Sequence, residues 1–393
     1  MVHVTVRAVQ ILSILGCVSS FFYYLLCLWS ARAFLRADDP GVAVISPQTL
    51  PTVSILKPLK GIDPDIYESF RSHCVQDYPA QYEIIFGVSD ATDPAVASVE
   101  QLQREFSGLT IKLVVCPKIL GANVKVSNLE QMLLESRYEH ILVNDSDIRV
   151  EPDYLRNVVA PLMNSDVGMV TCLYRGVAAP TLASQLEALG ISTDFAAGVL
   201  AARMLEGGLR FGLGSTLAFR KRDLERIGGF RSIVDYLADD YELGRRIAGL
   251  GLKVVLSKVV VETHLAAYDL RGFVAHQMRW ARGVRDARLG GYIGLASTFG
   301  IFWALLGLIS FGALPWTWAM LAAILLLRGV VALMVGTTVL RDRQVLPGLW
   351  LLPLRDLIAV GVWITSFFGH TVTWRGDRFK LKDGRLTRIT YPD

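Results

Sequence analysis

The chain has 393 residues, 52% of them hydrophobic, and a formal net charge of +4 at pH 7. Its mean hydropathy of +0.40 is too apolar for an ordinary water-soluble enzyme and calls for membrane segments unevenly placed along the chain. Lys and Arg form no basic stripe interleaved with aromatics, which argues against nucleic acid; five scattered cysteines without a C-x-x-C pair give neither a disulfide framework nor a zinc site, and suit a reducing compartment.

Residues 9–29 form a largely apolar run of bilayer-spanning length. Ala31-Arg32-Ala33 fits a small-x-small cleavage pattern, but Arg32 and Arg36 follow the run and only His3 and Arg7 precede it. That charge order predicts an uncleaved anchor over 1–35, with the next domain in the cytoplasm.

Residues 50–285 read as an α/β domain. "TVSILKPL", "YEIIFGV", "TIKLVV" and "EHILVN" are short apolar or β-branched runs, separated by helix-start signals such as Asp63-Pro64 and Asp93-Pro94. Alternating strands and helices predict a Rossmann-like, mostly parallel sheet covered on both faces, with ligands beyond the carboxyl ends of its strands.

Acids stand at those ends. Asp90 follows the second run, where a carboxylate can accept from a base or ribose or simply make a turn; Asp93 is placed to cap the next helix. "NDSDIRV" sets Asp145 and Asp147 one residue apart after the fourth run. That spacing suits a hard divalent cation bridging to phosphate, or a solvated Asx turn. "LADDYELGRRIAGLG" puts Asp239 and Asp240 at a helix start, as charge caps or with one as a general base. In "HQMRWAR", His276 and Arg279 are one helical turn apart, with Trp280 beside them. The string can face one ligand, diphosphate for Arg and a sugar or apolar face for Trp, or form a collar at a membrane interface.

A second apolar block covers 290–370. Residues 292–314 and 316–340 are each long enough to cross the bilayer and meet at Pro315. The third run, 349–368, carries Arg355-Asp356 and precedes a basic tail, 371–393. A cytoplasmic tail requires one of the three segments to lie in the interface or re-enter, and the charge pair selects the third. Arg355 and Asp356 are expected to pair with each other or with lipid head groups.

The order of an acid, D-x-D, a third acid and Arg-Trp before membrane helices resembles membrane-embedded GT-A glycosyltransferases. More narrowly, "LKPLKG", "DYPAQYEIIFGVSDATDPA", "GANVKVSNL", "NDSDIRVEPDYL", "LADDYELGRRIAGLG" and "TWRGDRFKLK" are similar to the ceramide glucosyltransferase family and its bacterial hopanoid-glycosylating relatives. The resemblance covers nearly the whole chain. It implies an inverting enzyme that moves a hexose or N-acetylhexosamine from a UDP-sugar to a hydroxyl of a membrane lipid, ceramide or hopanoid. By resemblance Asp90 holds the uridine, Asp145 and Asp147 hold the diphosphate through Mg²⁺ or Mn²⁺, and Asp240 is the catalytic base. Lys57, Lys125 and Asn128 fall in strings that flank the nucleotide, and His276, Arg279 and Trp280 occupy the (Q/R)-x-x-R-W motif toward acceptor or diphosphate. The implied setting is a multi-pass protein of the bacterial inner membrane with a cytoplasmic catalytic domain. Two positions depart from the family pattern: His276 replaces Gln or Arg, and Asp194-Phe195 stand where eukaryotic ceramide enzymes carry a histidine.

Three rival readings remain. A processive polysaccharide synthase normally has more spans. A D-x-D aspartyl-phosphate phosphatase normally places its motif after the first strand. A transporter or scaffold would use Arg328, Arg355 and Asp356 as a polar path through the membrane.

Overall fold

The computed structural model describes residues 2–37, 50–374 and 376–389; Met1, Arg375 and 390–393 of the expected anchor and tail lie outside the described residues. The chain divides into two units. The eight-stranded sheet formed between Val53 and His264 lies in one, which joins Asp38–Ala179, Leu205–Ala266 and Gly384–Asp393; the other joins Met1–Ala37, Pro180–Met204 and Ala267–Asp383. Two stretches that the sequence reading assigned to the α/β domain, 180–204 and 267–285, therefore group with the apolar unit.

The α/β unit is a mixed sheet of eight strands: β1 Val53–Pro58, β2 Tyr82–Val88, β3 Thr110–Val115, β4 His140–Val143, β5 Ile148–Arg149, β6 Val167–Val177, β7 Leu217–Arg220 and β8 Lys253–His264. Their order is β3-β2-β1-β4-β7-β6-β8-β5. The first four, all parallel, are the four runs expected from sequence, with β1 in register against both Ile84 of β2 and Leu142 of β4 through Ile55. β7 is antiparallel to its neighbours β4 and β6, and β5 is antiparallel to β8, so the sheet is mostly rather than wholly parallel. Its core packs Phe70 and Phe86, ring centroids 4.6 Å apart, with Leu142, Tyr154 and Val170. β1, β2 and β4 are buried almost throughout, as a sheet covered on both faces requires, while the edge strand β3 is half-buried.

The apolar unit has four helices long and apolar enough to cross a membrane among the described residues: His3–Arg36, Leu182–Leu205, Pro315–Val339 and Val345–Ser366. Leu289–Thr298 and Gly300–Ser310 form a further pair bent by 56°. The break thus falls in the first carboxyl-terminal segment, and the segment with Arg355-Asp356 is one continuous helix.

The charge pair also behaves differently. Arg328 Nε and Nη2 bind Asp356 Oδ2 and Oδ1 at 2.8 and 3.0 Å, and Arg328 Nη1 donates to the Thr193 carbonyl at 3.1 Å. Arg355 turns instead to Asp194, 3.5 Å away. Adjacent helical residues point about 100° apart, so Arg355 and Asp356 each take a partner from a different helix. Arg328→Leu leaves Asp356 buried and unpaired and is expected to lower stability by about 3–5 kcal/mol; Arg328→Leu with Asp356→Leu should recover much of the loss, read as thermal unfolding of the detergent-solubilised chain.

Candidate active site

β4 is followed directly by Asn144, whose buried amide donates to the Tyr154 hydroxyl at 2.8 Å and to the Ser215 carbonyl at 2.6 Å. This anchor fixes the backbone just before Asp145. From the adjacent strand β1, the buried Lys57 ammonium donates to the Asp145 carbonyl at 2.9 Å. Burial drives Lys57 down to about 7, against the opposing pull of Asp147, Asp145 and Asp63. Lys57 therefore braces the loop through its backbone.

The Asp145 side chain, 40% exposed, meets Lys125 Nζ at 2.7 Å through Oδ1; the same ammonium lies 3.2 Å from Asp239 Oδ2. Lys125 occupies the first turn of the helix Val124–Leu134. Asn123 caps that helix by accepting from the Val126 N–H, and its own amide donates to the Tyr236 carbonyl at 2.8 Å. Burial would lower Lys125, but Asp145 and Asp239 outweigh it and hold the ammonium well above the ordinary lysine range.

Asp240 lies in the first turn of the helix Asp239–Gly249. Its Oδ2 accepts from the Gly214 N–H at 2.7 Å and its Oδ1 from the Tyr241 N–H at 2.8 Å. Burial, then the charge of Asp239, push it up to about 6, with Lys125 pulling the other way. Gly214 brings the two acids together. A Cβ there would lie 3.2 Å from Asp145 Oδ2 and 3.3 Å from Asp240 Oδ2, so both carboxylates face one point that the glycine leaves open and a Cβ would crowd.

Asp147 is engaged by the end of β8. Its Oδ2 accepts from the Thr263 hydroxyl, and its carbonyl accepts from the His264 N–H at 3.4 Å. Burial, then Asp145, raise it to about 6. Between the two acids, the Ser146 hydroxyl donates to Asp63. Asp90 makes a local Asx turn: one oxygen, Oδ1, accepts from both the N–H and the hydroxyl of Thr92 at 2.8 Å, and these bonds hold the exposed carboxyl below its usual range. Next to it, Ser89 exchanges hydrogen bonds with Asn128 at 3.1–3.2 Å. Asp93 does not cap the next helix, Val96–Glu105, whose N-cap position is Ala95 with no side-chain cap bond; its Oδ1 accepts from the Ala95 N–H in a local turn, and its carboxylate also receives the Gly61 N–H and so ties the loop after β1 to the loop after β2.

One cluster escaped the sequence reading. At the ends of β6 and β8, Arg175 Nη2 lies 2.7 Å from Glu262 Oε1, and His264 Nδ1 lies 3.1 Å from Asp65 Oδ2. His264 and Arg175 hold Glu262 at about 2. The available signal was the same one that marked Asp145: polar residues, Glu262 to His264, closing the apolar run "VVVETH".

A divalent cation is compatible with these donors. Asp145 and Asp147 offer hard carboxylate oxygens, and the cleared point at Gly214 lies beside Asp145. Among the described residues no group of three His, Cys, Asp or Glu side chains encloses a metal, so substrate phosphate and water would complete the shell, as is usual for Mg²⁺.

His276, Arg279 and Trp280 belong to the apolar unit, on the helix Leu270–Ala287. His276 Nδ1 lies 2.7 Å from Glu187 Oε1, and its ring centroid is 5.3 Å from that of Trp280. The Arg279 guanidinium sits over the Trp374 ring, 5.9 Å from its centroid, and Trp280 packs against Phe195 at 6.2 Å.

Residues 12–387 match the family model described as Glycosyl transferase family 21. Ceramide glucosyltransferase 3 of Caenorhabditis elegans is 26% identical over 235 residues, 60% of this chain and 50% of that protein. The ceramide glucosyltransferase of Komagataella phaffii is 32% identical over 108 residues, 26% of this chain and 21% of that protein. The chain spans about half the length of the nematode relatives it matches. Among solved structures, the mannosyltransferase PcManGT of Pyrobaculum calidifontis, in complex with GDP-Man and Mn²⁺, superposes with a TM-score of 0.56 at 22% identity, covering 92% of this chain and 99% of that one. This likeness places the α/β unit in a GT-A-like fold.

Proposed function

Because the chain belongs to glycosyl transferase family 21, we propose that it moves a hexose or N-acetylhexosamine from a UDP-sugar to a hydroxyl of a membrane lipid, ceramide or hopanoid, with inversion. The observation that carries the reading is the pair of carboxylates, Asp145 and Asp240, facing one cleared point at Gly214.

In this mechanism the lipid hydroxyl gives its proton to Asp240 as its oxygen bonds the anomeric carbon. The bond from that carbon to the diphosphate oxygen breaks, and UDP leaves from the opposite face. One displacement turns an α-linked donor into a β-glycoside. A carboxyl near 6 suits this task, since it is ionised at neutral pH yet basic enough to accept a proton in the transition state. Lys125 bridges Asp145 and Asp239 and offsets part of their charge, and Lys57 holds the Asp145 backbone in place. Asp90 and Asn128 are assigned to the nucleotide. Asp145 and Asp147 would hold Mg²⁺ or Mn²⁺, which when bound offsets negative charge developing on the diphosphate. In the apolar unit, His276, Arg279 and Trp280 are assigned to acceptor or diphosphate on the family motif. The setting proposed is the bacterial inner membrane with the α/β unit in the cytoplasm, where a soluble donor is available.

Two outcomes test the site. Asp145→Ala and Asp147→Ala should each weaken UDP-sugar binding by about tenfold or more in the presence of Mg²⁺ or Mn²⁺, and chelation should weaken wild type similarly, read by calorimetry. Gly214→Ala should lower kcat/KM by about tenfold or more with little change in unfolding temperature, because the added Cβ presses on both carboxylates at the cleared point.

A further inference from the structure

The helix Asp239–Gly249 carries Asp240 in its first turn, yet its N-cap position, Ala238, makes no side-chain cap bond. A helix start without a cap depends on other contacts to fix its entry. Here they come from a segment far along the chain, Gly384–Leu386, which belongs to the same α/β unit. Leu386, itself buried, donates its N–H to the Asp235 carbonyl at 2.7 Å, and the Gly384 carbonyl accepts from the Leu237 N–H at 3.0 Å. Between these two bonds Arg385 stands opposite Tyr236 in an antiparallel bridge. The Arg385 guanidinium lies 5.2 Å from the centre of the Tyr236 ring, and its Nε donates to the Tyr236 hydroxyl at 3.2 Å. Arg246, from the helix of Asp240 itself, lies 5.5 Å from the centre of the same ring. Gly384, at φ 75°, suits the close approach, since a Cβ there would lie 3.3 Å from Tyr236 Cδ1.

We infer that Gly384–Leu386 is a positioning strap for the proposed base, holding the segment Asp235–Leu237 so that the helix start presents Asp240 at one fixed place. This rests on the reading of Asp240 as base and deepens it. The strap touches no reacting atom. It pins Leu237, after which only Ala238 and Asp239 remain to absorb movement before Asp240. The carboxylate is in turn aimed by the N–H groups of Gly214 and Tyr241, and the second of these moves with the helix start. A displacement of about 1 Å at a reacting group costs about a hundredfold in rate, so a loosened entry falls on turnover. The helix Val124–Leu134, which bears Lys125, has its own cap in Asn123, so loss of the strap falls on the helix start that has none.

The test uses the full chain in detergent with two changes. Leu386→Pro removes the N–H held by Asp235, and Arg385→Ala keeps both backbone bonds but loses the contact with Tyr236. Hydrogen exchange at the Leu237 amide reads the strap without any sugar transfer, and so separates this inference from the proposed activity. The expected result is that Leu386→Pro speeds that exchange by about tenfold or more and lowers kcat by about tenfold or more, with UDP binding within about twofold of wild type. Arg385→Ala should lower kcat by about two- to fivefold, and Arg385→Lys should recover most of it. Added to Asp240→Asn, either change should cost nothing further in kcat, because the strap acts through Asp240. Should Leu386→Pro fail to fold, Arg385→Ala with its lysine rescue carries the same comparison in both backgrounds. Unchanged exchange, unchanged kcat, a parallel loss of UDP binding, or a full further loss in the Asp240→Asn background would overturn the assignment. Wild type that transfers no sugar would sink the proposed function alone; with that result, faster exchange at Leu237 in Leu386→Pro supports the strap and unchanged exchange refutes it.

Discussion

Asp240→Asn is expected to lower kcat by about 10²–10⁴ while UDP binding stays within about twofold of wild type. The amide is isosteric and can keep one oxygen on the Gly214 N–H, so the loop geometry survives. What it loses is the capacity to take the acceptor proton. A rate loss with binding retained is the signature of an interaction made only in the transition state. Equal loss of both would show that Asp240 serves structure or donor binding instead. The same carboxyl sets the pH response. It is held at about 6, above the ordinary aspartate value, and only its ionised form is a base. Activity should therefore rise as pH increases through about 6 and level off above, provided donor is saturating. The stability contribution runs the other way: a carboxyl raised in the folded state binds protons more tightly than in the unfolded chain. Its stabilising share is full at pH values below the unfolded pKa and is lost as pH rises through about 6.

Lys125→Met is expected to be nearly as damaging by a different route. The ammonium is the shared partner of Asp145 and Asp239, and its field also reaches Asp240. Removing it leaves neighbouring acids without their cation. Breaking a buried pair costs about 3–5 kcal/mol, but Asp145 is well exposed to solvent, so about 2–3 kcal/mol is the better expectation for this site. Without the opposing pull of Lys125, burial and the charge of Asp239 raise Asp240 further. Residual activity should then need a higher pH, moving the ascending limb of the rate profile above 6. A loss of activity with the limb unmoved would mean that Lys125 acts on the donor alone. Pairing the pH profile with a melting curve separates the two contributions.

The parallel half of the sheet was legible because its strands are near-continuous apolar runs, buried almost throughout in β1, β2 and β4 and half-buried in the edge strand β3, and all four fall within a residue or two of the expected bounds. Asp145 and Asp240 were legible as acids at element ends; that they share the space at Gly214 was not, because Gly214 lies in a loop whose path is set by tertiary contacts. The candidate span Leu182–Leu205 was obscured for a related reason. Glu187, Asp194 and Arg203 dilute its apolar signal, and their partners lie far along the chain. Asp194 meets Arg355, and Glu187 meets His276. A sequence reading pairs neighbours, as it did with Arg355 and Asp356, whereas helices pair residues that share a facing side. Asp147 illustrates the opposite limit: its place in the motif was evident, yet its engagement with Thr263 depends on how β8 ends beside it.

The central claim is that one sugar is placed on one membrane lipid. Lipid mass spectrometry of cells with and without the gene tests it most directly. The prediction is that deletion removes a lipid heavier than its parent by a single hexose or N-acetylhexosamine, with the parent accumulating, and that Asp240→Asn fails to restore it. An unchanged lipid profile, or loss of a polymer with the lipids intact, would contradict the account.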